Sequence, residues 1–224
     1  MVPATHDDGT VSPIPERSLM PKKDITQMFN AVESLLERTA NPLHRRILEN
    51  YRRHVILETC GQGERIFDPD MTVEKPVYYI YMDGYPDLKM EGDEVREFYK
   101  TLPTSGDLPV IIEDEQIMVS DWGFTSKAYL NMYQRGHRLI EKGMTVNGEQ
   151  PDPDGYYIVR NAMVGMWLYD AQGRLIGEQE YENKWLSEII EIPAEEFVTL
   201  EEAQERLLPL LRPLPFDDPT PAPA

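Results

Sequence analysis

The chain has 224 residues and a formal net charge of −18, from 40 acidic against 22 basic residues. This length suits one domain with additions at its ends, and it is enough to bury a substantial core. A charge of this sign repels nucleic acid and anionic membrane surfaces, so we expect neither as a partner. The single cysteine, Cys60, excludes an intramolecular disulfide. Together with a polar N-terminus and the lack of any apolar stretch of about 20 residues, it favours a soluble, cytoplasmic protein.

The first predicted elements are helices. Residues 1–22 are rich in Pro, Asp and Ser and have no periodicity, which predicts a disordered or docked N-terminal arm. Residues 24–38 carry apolar side chains at helical spacing. Asn41 as N-cap and Pro42 in the first turn predict a second helix, which ends near Cys60 because Gly61 follows. We therefore expect one domain over residues 23–212 that begins with an extra helix.

The rest of the chain is predicted to be mostly strands. Residues 71–82 are aromatic and β-branched, a strand pattern that Pro76 interrupts. A short amphipathic helix over residues 93–101 separates this strand from a later series of strands. That series is predicted at residues 111–119, 124–133, 156–169 and 174–181, followed by a C-terminal helix over 199–211 and a Pro-rich tail over 213–224. Helices followed by an antiparallel meander predict the α+β class.

Three motifs occur in a definite order between Tyr51 and Tyr99. Phe67 follows Tyr51 by sixteen residues, then comes Thr72-Val73-Glu74-Lys75-Pro76-Val77, and then Arg96-Glu97-Phe98-Tyr99. The order and spacing resemble the ketosteroid isomerase branch of the nuclear transport factor two-like superfamily, which also holds the SnoaL-like proteins. The resemblance covers roughly residues 41–182. It implies a cone-shaped, curved antiparallel sheet wrapped around helices, with a cavity for acid–base chemistry that needs no cofactor.

The resemblance also implies roles for single residues. In the isomerases the helix tyrosine is an oxyanion-hole donor and the tyrosine of Arg-Glu-Phe-Tyr supports it, which implies these roles for Tyr51 and Tyr99. The isomerases have a catalytic aspartate where this chain has Lys75, and their second acid aligns with Gly165. The scaffold is therefore similar, while an isomerase's carboxylates are missing at both positions.

Several other residues are candidates for the proton transfers. A buried Lys75 would have a depressed pKa and could shuttle a proton; the alternative is a rim lysine paired with Glu74. His54 follows Tyr51 by one helical turn and is a natural proton shuttle, unless it belongs to a solvated face with Arg52 and Arg53.

Two further candidates lie on the predicted strands. Asp121 stands beside Trp122, where an apolar ring would raise the pKa of a carboxyl group; the alternative is a turn aspartate that caps its own backbone. Asn161 shares a strand face with Met163, Gly165 and Trp167, and it is the best replacement donor for the missing second acid.

Aromatic and sulfur-containing side chains are the predicted substrate contacts. Lys75, Tyr79 and Tyr81 share one side of the first strand, so if Lys75 lines the cavity, the two tyrosines line it too. The expected substrate-binding residues are Tyr79, Tyr81, Tyr99, Trp122, Met163 and Trp167, with plain core or interface roles as the alternative. The opposite face of the 156–169 strand, with Val164 and Met166, is too apolar for solvent and predicts a homodimer through the outer face of the sheet.

The predicted activity is that of a cofactor-independent lyase. The superfamily includes dehydratases and cyclases, and the size and tyrosine-rich first strand resemble bacterial γ-formaldehyde lyases that convert lignin-derived diaryl compounds, of diarylpropane or phenylcoumaran type, into stilbenes. We therefore predict elimination of formaldehyde or water from a hydrophobic aromatic substrate. No cofactor is predicted, and the histidine spacing predicts no metal site.

Two alternatives remain open at the level of sequence. One is an isomerase or polyketide cyclase, and the other is a non-catalytic module that binds a hydrophobic ligand or a partner protein. Buried polar groups that converge on an apolar cavity would favour an enzyme, whereas a filled or wholly apolar cone would favour a binding module.

Overall fold

The computed structural model describes residues 22–82 and 85–215. The predicted N-terminal arm, apart from Lys22, and the tail beyond Pro215 lie outside the described residues. The start of the tail is packed, because Leu214 is buried and the Pro215 carbonyl accepts a hydrogen bond of 2.8 Å from Arg46.

Four helices begin and end near the predicted boundaries, and a fifth, over Gly136–Glu141, was not predicted as a helix. Asn41 caps the second helix, since its side chain accepts hydrogen bonds from the backbone N–H groups of Leu43 and His44. The helices are α1 (Asn30–Arg38), α2 (Pro42–Thr59), α3 (Asp93–Ser105), α4 (Gly136–Glu141) and α5 (Leu200–Leu207), with 3₁₀ turns at Ile25–Phe29, Gly63–Phe67, Ala194–Glu196 and Leu208–Leu210. In the described part of the chain, no helix combines the length and the apolarity needed to traverse a bilayer.

Seven strands form one curved, open sheet. They are β1 (Thr72–Met82), β2 (Tyr85–Glu91), β3 (Val110–Ser120), β4 (Gly123–Arg135), β5 (Tyr156–Tyr169), β6 (Leu175–Glu182) and β7 (Glu188–Ile192). The order is β2-β1-β6-β5-β4-β3, and β7 pairs with the first part of β5 while β6 pairs with the last part. Every pairing is antiparallel except that of β1 with β6. The predicted α+β class with a curved antiparallel-rich sheet around helices is confirmed.

Helix α2 lies against the inner face of the sheet. The Tyr51 ring packs 4.5 Å from the Phe124 ring and 5.1 Å from the Trp167 ring, measured between centroids. Tyr99 on α3 packs against Phe67 and against Tyr78 on β1. These contacts join α2 and α3 to the sheet, and a cavity remains between the helices and strands β1, β3, β4, β5 and β6.

Candidate active site

The cavity has mainly apolar walls and several acidic groups. Its volume is about 130 Å³, counted as the space open to the centre of a water molecule. The apolar lining comes from both helices and the sheet: Val55, Ile80, Met82, Phe98, Leu102, Leu108, Val110, Ile112, Ala128, Leu130, Met132, Met163 and Trp167. The polar lining is Tyr51, Glu58, Thr59, Tyr99, Asp107, Glu115, Ser126, Glu178 and Glu180. Buried polar groups therefore converge on an apolar space.

Glu115 reaches the cavity because β3 contains a bulge. The ladder between β3 and β4 shifts between Glu113 and Gln116, and Asp114 has a φ of 52°, in the left-handed region. Ile112 before the bulge and Glu115 after it both line the cavity, although they are three residues apart. Simple alternation would have turned Glu115 outward.

Glu180 reaches the cavity from β6, over a glycine of the neighbouring strand. Gly165 pairs with Glu180 across the ladder. A Cβ at position 165 would lie 2.2 Å from the Glu180 Oε1 atom, so the missing side chain makes room for this carboxyl group. The Trp167 Nε1–H group donates a hydrogen bond of 2.7 Å to the same oxygen.

The environment raises the pKa of both carboxyl groups. Burial raises the pKa of Glu115 to about 7, against the lowering effect of a hydrogen bond that the Tyr51 hydroxyl donates to its Oε1 atom. Burial raises the pKa of Glu180 to about 8, opposed by the Trp167 hydrogen bond and reinforced by the charges of Glu58 and Glu115. Neither side chain is fully buried, because each faces the cavity. Two carboxyl groups that titrate near neutral pH therefore face one apolar space.

A second polar group of side chains lies beside this pair, and we call it the buried polar cluster: His54, Glu58, Tyr78, Tyr99 and Glu178. The His54 Nε2 atom lies 3.0 Å from the Tyr99 hydroxyl, 3.2 Å from Glu58 Oε2 and 3.6 Å from Glu178 Oε1. Burial, and then the charge of Glu58, raise the pKa of Glu178 well above its ordinary value. Among the described residues, no group of three or more His, Cys, Asp or Glu side chains is arranged to hold a metal ion.

Four of the residues singled out from the sequence line the cavity: Tyr51, Tyr99, Met163 and Trp167. The expected support of Tyr51 by Tyr99 is replaced by two separate contacts, since Tyr51 donates to Glu115 and Tyr99 donates to Glu58 Oε2 at 3.4 Å. His54 is buried behind the wall. Its ring packs 4.8 Å from Trp167, so it belongs to the interior rather than to a solvated face.

The predicted common face of Asn161, Met163, Gly165 and Trp167 is confirmed by the register of the ladder. Leu130, Ala128 and Ser126 on β4 line the cavity, and they pair with Asn161, Met163 and Gly165. Asn161 is buried and its Nδ2 atom has no hydrogen-bond partner, but it is not part of the cavity lining.

Lys75, Tyr79 and Tyr81 do share one side of β1, but it is the outer side. All three are exposed, while Tyr78 is buried and Ile80 and Met82 line the cavity. The alternation along β1 is regular, with Pro76 and Tyr78 buried and Lys75 and Tyr79 exposed, so the expected grouping is right and only the side that faces inward differs. The expectation that these three residues line the cavity is therefore wrong.

Asp121 and Trp122 also lie away from the cavity. They form the two-residue turn between β3 and β4, where Ser120 pairs with Gly123. The Asp121 side chain is 82% exposed and its Oδ1 atom lies 2.7 Å from His44 Nε2. A turn at the end of a hairpin points its side chains to solvent, so this carboxyl group lies outside the apolar cavity.

Four glutamates line the cavity, and none of them was predicted from the sequence: Glu58, Glu115, Glu178 and Glu180. On β6, Glu178 and Glu180 alternate with Gln179 and Tyr181, and polar residues at this spacing normally face solvent. The structure reverses this, since the glutamates face inward and Tyr181 is exposed. Gly165 is the one sequence signal that could have indicated it, because a glycine inside a strand often marks the close approach of another group.

No family model matches the chain, and no curated protein matches it. Among solved structures, it is similar to an NTF2-like protein from Anabaena variabilis, with 10% identity and a TM-score of 0.46 over 65% of this chain and 93% of that chain. It is also similar to a protein from Shewanella denitrificans that is provisionally described as a SnoaL-like polyketide cyclase, with 14% identity and a TM-score of 0.44 over 64% of this chain and 93% of that chain. It is also similar to a phenazine biosynthesis-related protein from Pseudomonas aeruginosa, with 14% identity and a TM-score of 0.39 over 70% of this chain and 86% of that chain. Similarity at this distance does not show what this chain does.

Proposed function

We propose that the protein is a cofactor-independent lyase that eliminates formaldehyde or water from a hydrophobic aromatic substrate in this cavity. The observation that carries the proposal is the pair formed by Glu115 and Glu180. Both line an apolar space, their pKa values are about 7 and about 8, and each accepts a hydrogen bond from a cavity side chain, Tyr51 or Trp167. Apolar walls with converging titratable groups are typical of an enzyme site rather than of a passive binding cone.

The contacts of the two carboxyl groups support different roles. The Tyr51 hydroxyl donates to Glu115 and stabilises its charged form, so we assign Glu115 as general base. An ionised Glu115, together with the charge of Glu58, favours the protonated form of Glu180, so we assign Glu180 as general acid. An elimination needs both a base and an acid at the same time, and carboxyl groups whose environments separate their pKa values provide them.

A lignin-type 1,2-diarylpropane-1,3-diol illustrates the balanced reaction. Glu115 removes the proton of the terminal hydroxyl, the terminal carbon–carbon bond breaks and formaldehyde leaves. The electron pair of that bond forms the new carbon–carbon double bond, and the hydroxyl on the benzylic carbon leaves as water with the proton of Glu180. The products are one stilbene, one formaldehyde and one water, and no oxidant or reductant is consumed.

Turnover of this diol tests the proposal. Stilbene is followed by its ultraviolet absorbance and formaldehyde by a colorimetric assay, with the wild-type protein, Glu115→Gln and Glu180→Gln. Each substitution keeps the shape of the side chain and removes its titration, so we expect a loss in kcat of roughly 10² to 10⁴. Glu97→Gln, on the surface of α3 with a side chain 69% exposed, is the matched control and should keep full activity.

The same variants separate the lyase from the neighbouring isomerase interpretation. Isomerisation can use one carboxyl group that removes a proton and returns it, with Tyr51 as donor. A requirement for Glu115 alone, with Glu180→Gln fully active, would contradict the acid role of Glu180 and with it the proposed elimination. Full activity of both variants would contradict the assignment of Glu115 as base and Glu180 as acid.

A further inference from the structure

A surface groove lies beside the cavity, and we call it the α1–β3 groove. One side of it is formed by residues of the segment 23–34, which includes the first 3₁₀ turn and part of α1, and the other side by residues 111–115 of β3. Two of these residues, Ile112 and Glu115, also line the cavity. The groove and the cavity are therefore separated by these two residues.

The bulge in β3 explains why Glu115 borders both spaces. On the cavity side, its carboxyl group accepts the hydrogen bond of the Tyr51 hydroxyl. Glu113 and Asp114 line the groove but not the cavity, and Glu113 is held there by ion pairs with Lys23 and, at 2.6 Å, with Arg160. Among the described residues, Glu115 is the one titratable side chain that belongs to both linings.

The two spaces differ in polarity. The cavity walls are mainly apolar, whereas the groove carries polar, exposed side chains such as those of Lys23, Asn30 and Ser34. An aromatic molecule gains most by leaving water for the apolar cavity, while a small polar molecule keeps its hydrogen bonds in the groove. The two sides of Glu115 therefore suit different classes of molecule.

The proposed reaction requires a route to solvent for protons. Each turnover leaves a proton on Glu115 and removes one from Glu180, so both groups must exchange protons with solvent before the next turnover. A stilbene product in the cavity would separate Glu115 from water on that side. The groove lies on the other side of the same residue.

We propose that the α1–β3 groove is a second entrance to the active site, through which water and small polar solutes reach the Glu115 carboxyl group. Glu115 passes its proton to water in the groove and Glu180 takes one from solvent, so one proton is released and one is taken up per turnover. The role of Glu115 as base rests on the proposed function. The entrance itself rests on the two residues that both linings share.

Cysteine labelling tests the entrance without any substrate. Glu115→Cys is treated with iodoacetamide, a small polar reagent, and the labelling rate is followed by mass spectrometry of the intact protein. The wild type is the blank, because Cys60 is fully buried and burial raises the pKa of its thiol to about 12. We expect the cysteine at position 115 to be labelled in the folded protein. We also expect Ala31→Trp, which fills the groove from α1, to slow this labelling by about tenfold.

Three further variants make the result specific. Ser34→Trp also fills the groove, from an exposed position of α1 where a larger side chain does not disturb the core, so the test does not depend on Ala31→Trp alone. Glu37→Trp is the matched control, since it is exposed on the same helix but does not line the groove, and it should leave the rate unchanged. Ala128→Cys lines the cavity and not the groove, so Ala31→Trp should not slow its labelling.

Three results would overturn the proposal. The first is a cysteine at position 115 that is not labelled, and the second is a labelling rate there that neither groove-filling variant changes, because the reagent then enters through the cavity. The third is an equal slowing at positions 115 and 128, which would mean that the two spaces have no separate entrances.

The outcome is separable from that of the lyase proposal. If Glu115→Gln keeps full turnover while the groove-filling variants block labelling, the assignment of the base fails and the second entrance stands. If Glu115→Gln is inactive but the groove-filling variants leave labelling unchanged, the base stands and the second entrance fails.

Discussion

The Tyr51 hydroxyl tunes one carboxyl group, and this leads to a prediction about pH dependence. Its hydrogen bond stabilises the carboxylate form of Glu115 and so opposes the burial that raises the pKa. Tyr51→Phe should therefore raise the pKa of Glu115 above about 7. With Glu115 as the proposed base, the acidic limb of the profile of kcat/KM against pH should move to higher pH, with about a fivefold loss at pH 7 for a shift of one unit.

The pH profile of the lyase reaction is the measurement, with Tyr81→Phe as control. Tyr81 lies on the outer side of β1 and is exposed, so its profile should match that of the wild type. A Tyr51→Phe profile with reduced height but an unmoved acidic limb would mean that Tyr51 acts on the substrate alone and not on Glu115.

Gly165 and Glu180 form a second pair whose geometry can be tested. In Gly165→Ala the new methyl group would lie 2.2 Å from Glu180 Oε1, and the carboxyl group must move away from the Trp167 indole. The atom that moves is the end of a flexible side chain, so we expect a change in the free energy of unfolding within about 1 kcal/mol. We expect kcat to fall by roughly 10- to 100-fold, because a misplaced general acid loses its alignment.

Urea unfolding and steady-state kinetics together check this prediction. Ser126→Ala is the control, because Ser126 pairs with Gly165 on the other side and also lines the cavity, but the change adds no atoms. Retained activity in Gly165→Ala would show that the position of Glu180 does not matter for the reaction.

The same pair shows what the sequence could and could not predict at this scale. The sequence correctly indicated that position 165 carries no acid, but the conclusion that the cavity lacks a carboxyl group there was wrong. Glu180 supplies one from the neighbouring strand. A resemblance aligned along one strand compares residues at equal positions, and it cannot detect a group that moves to the adjacent strand.

Strand β6 brings two carboxyl groups with raised pKa values into the interior, and this has a consequence for stability. Glu180 has an ordinary pKa of 4.5 and a folded-state pKa of about 8. Between these two values the folded state holds more protons than the unfolded state, so stability falls as pH rises through this window. The stabilising contribution is fully present below about pH 4.5 and is lost above about pH 8.

Glu180→Gln should remove this dependence. We expect the Tm of the variant to be close to that of the wild type at pH 5 and clearly higher at pH 9, where the wild type must hold an ionised carboxylate in an apolar cavity. Thermal unfolding at both values of pH measures the difference, and Glu97→Gln on the surface serves as control. A difference in Tm that is the same at pH 5 and pH 9 would contradict the raised pKa of Glu180.

At the scale of elements, local signals predicted the helices well and the strand faces only in part. The start of α2 followed from Asn41 and Pro42, since capping depends on neighbouring residues alone. The face of Glu115 depends on a bulge at Asp114. One extra residue reverses the side of every residue that follows, and nothing in the alternation pattern reveals where it is inserted.

At the scale of the whole molecule, the outer face of the sheet carries an apolar surface opposite the cavity. Tyr81 pairs with Tyr181, and Tyr181 pairs with Val164, so three exposed side chains form one row across β1, β6 and β5. Val164 is 47% exposed and Tyr181 45%. A contiguous apolar surface of this kind is typical of an interface, and we propose that two copies of the chain pack through it.

Val164→Glu is expected to prevent this dimer. A carboxylate in the middle of an apolar interface would lose its hydration without a partner, so light scattering after size-exclusion chromatography should give the dimer mass for the wild type and the monomer mass for the variant. Gln27→Glu adds the same charge at an exposed position in the turn before α1 and should leave the dimer intact. A wild-type protein that remains monomeric at high concentration would contradict the proposed dimer.

The net charge adds a second signature of the same interface. Two chains of −18 each repel one another on approach, while an apolar contact between them does not depend on charge. Salt shortens the range of the repulsion, to about 10 Å at 0.1 M and about 3 Å at 1 M. The Kd of the dimer should therefore fall as salt is added, which sedimentation equilibrium at several ionic strengths can measure. An interface held by ion pairs would show the opposite trend, so a Kd that rises with salt would place the contact elsewhere on the surface.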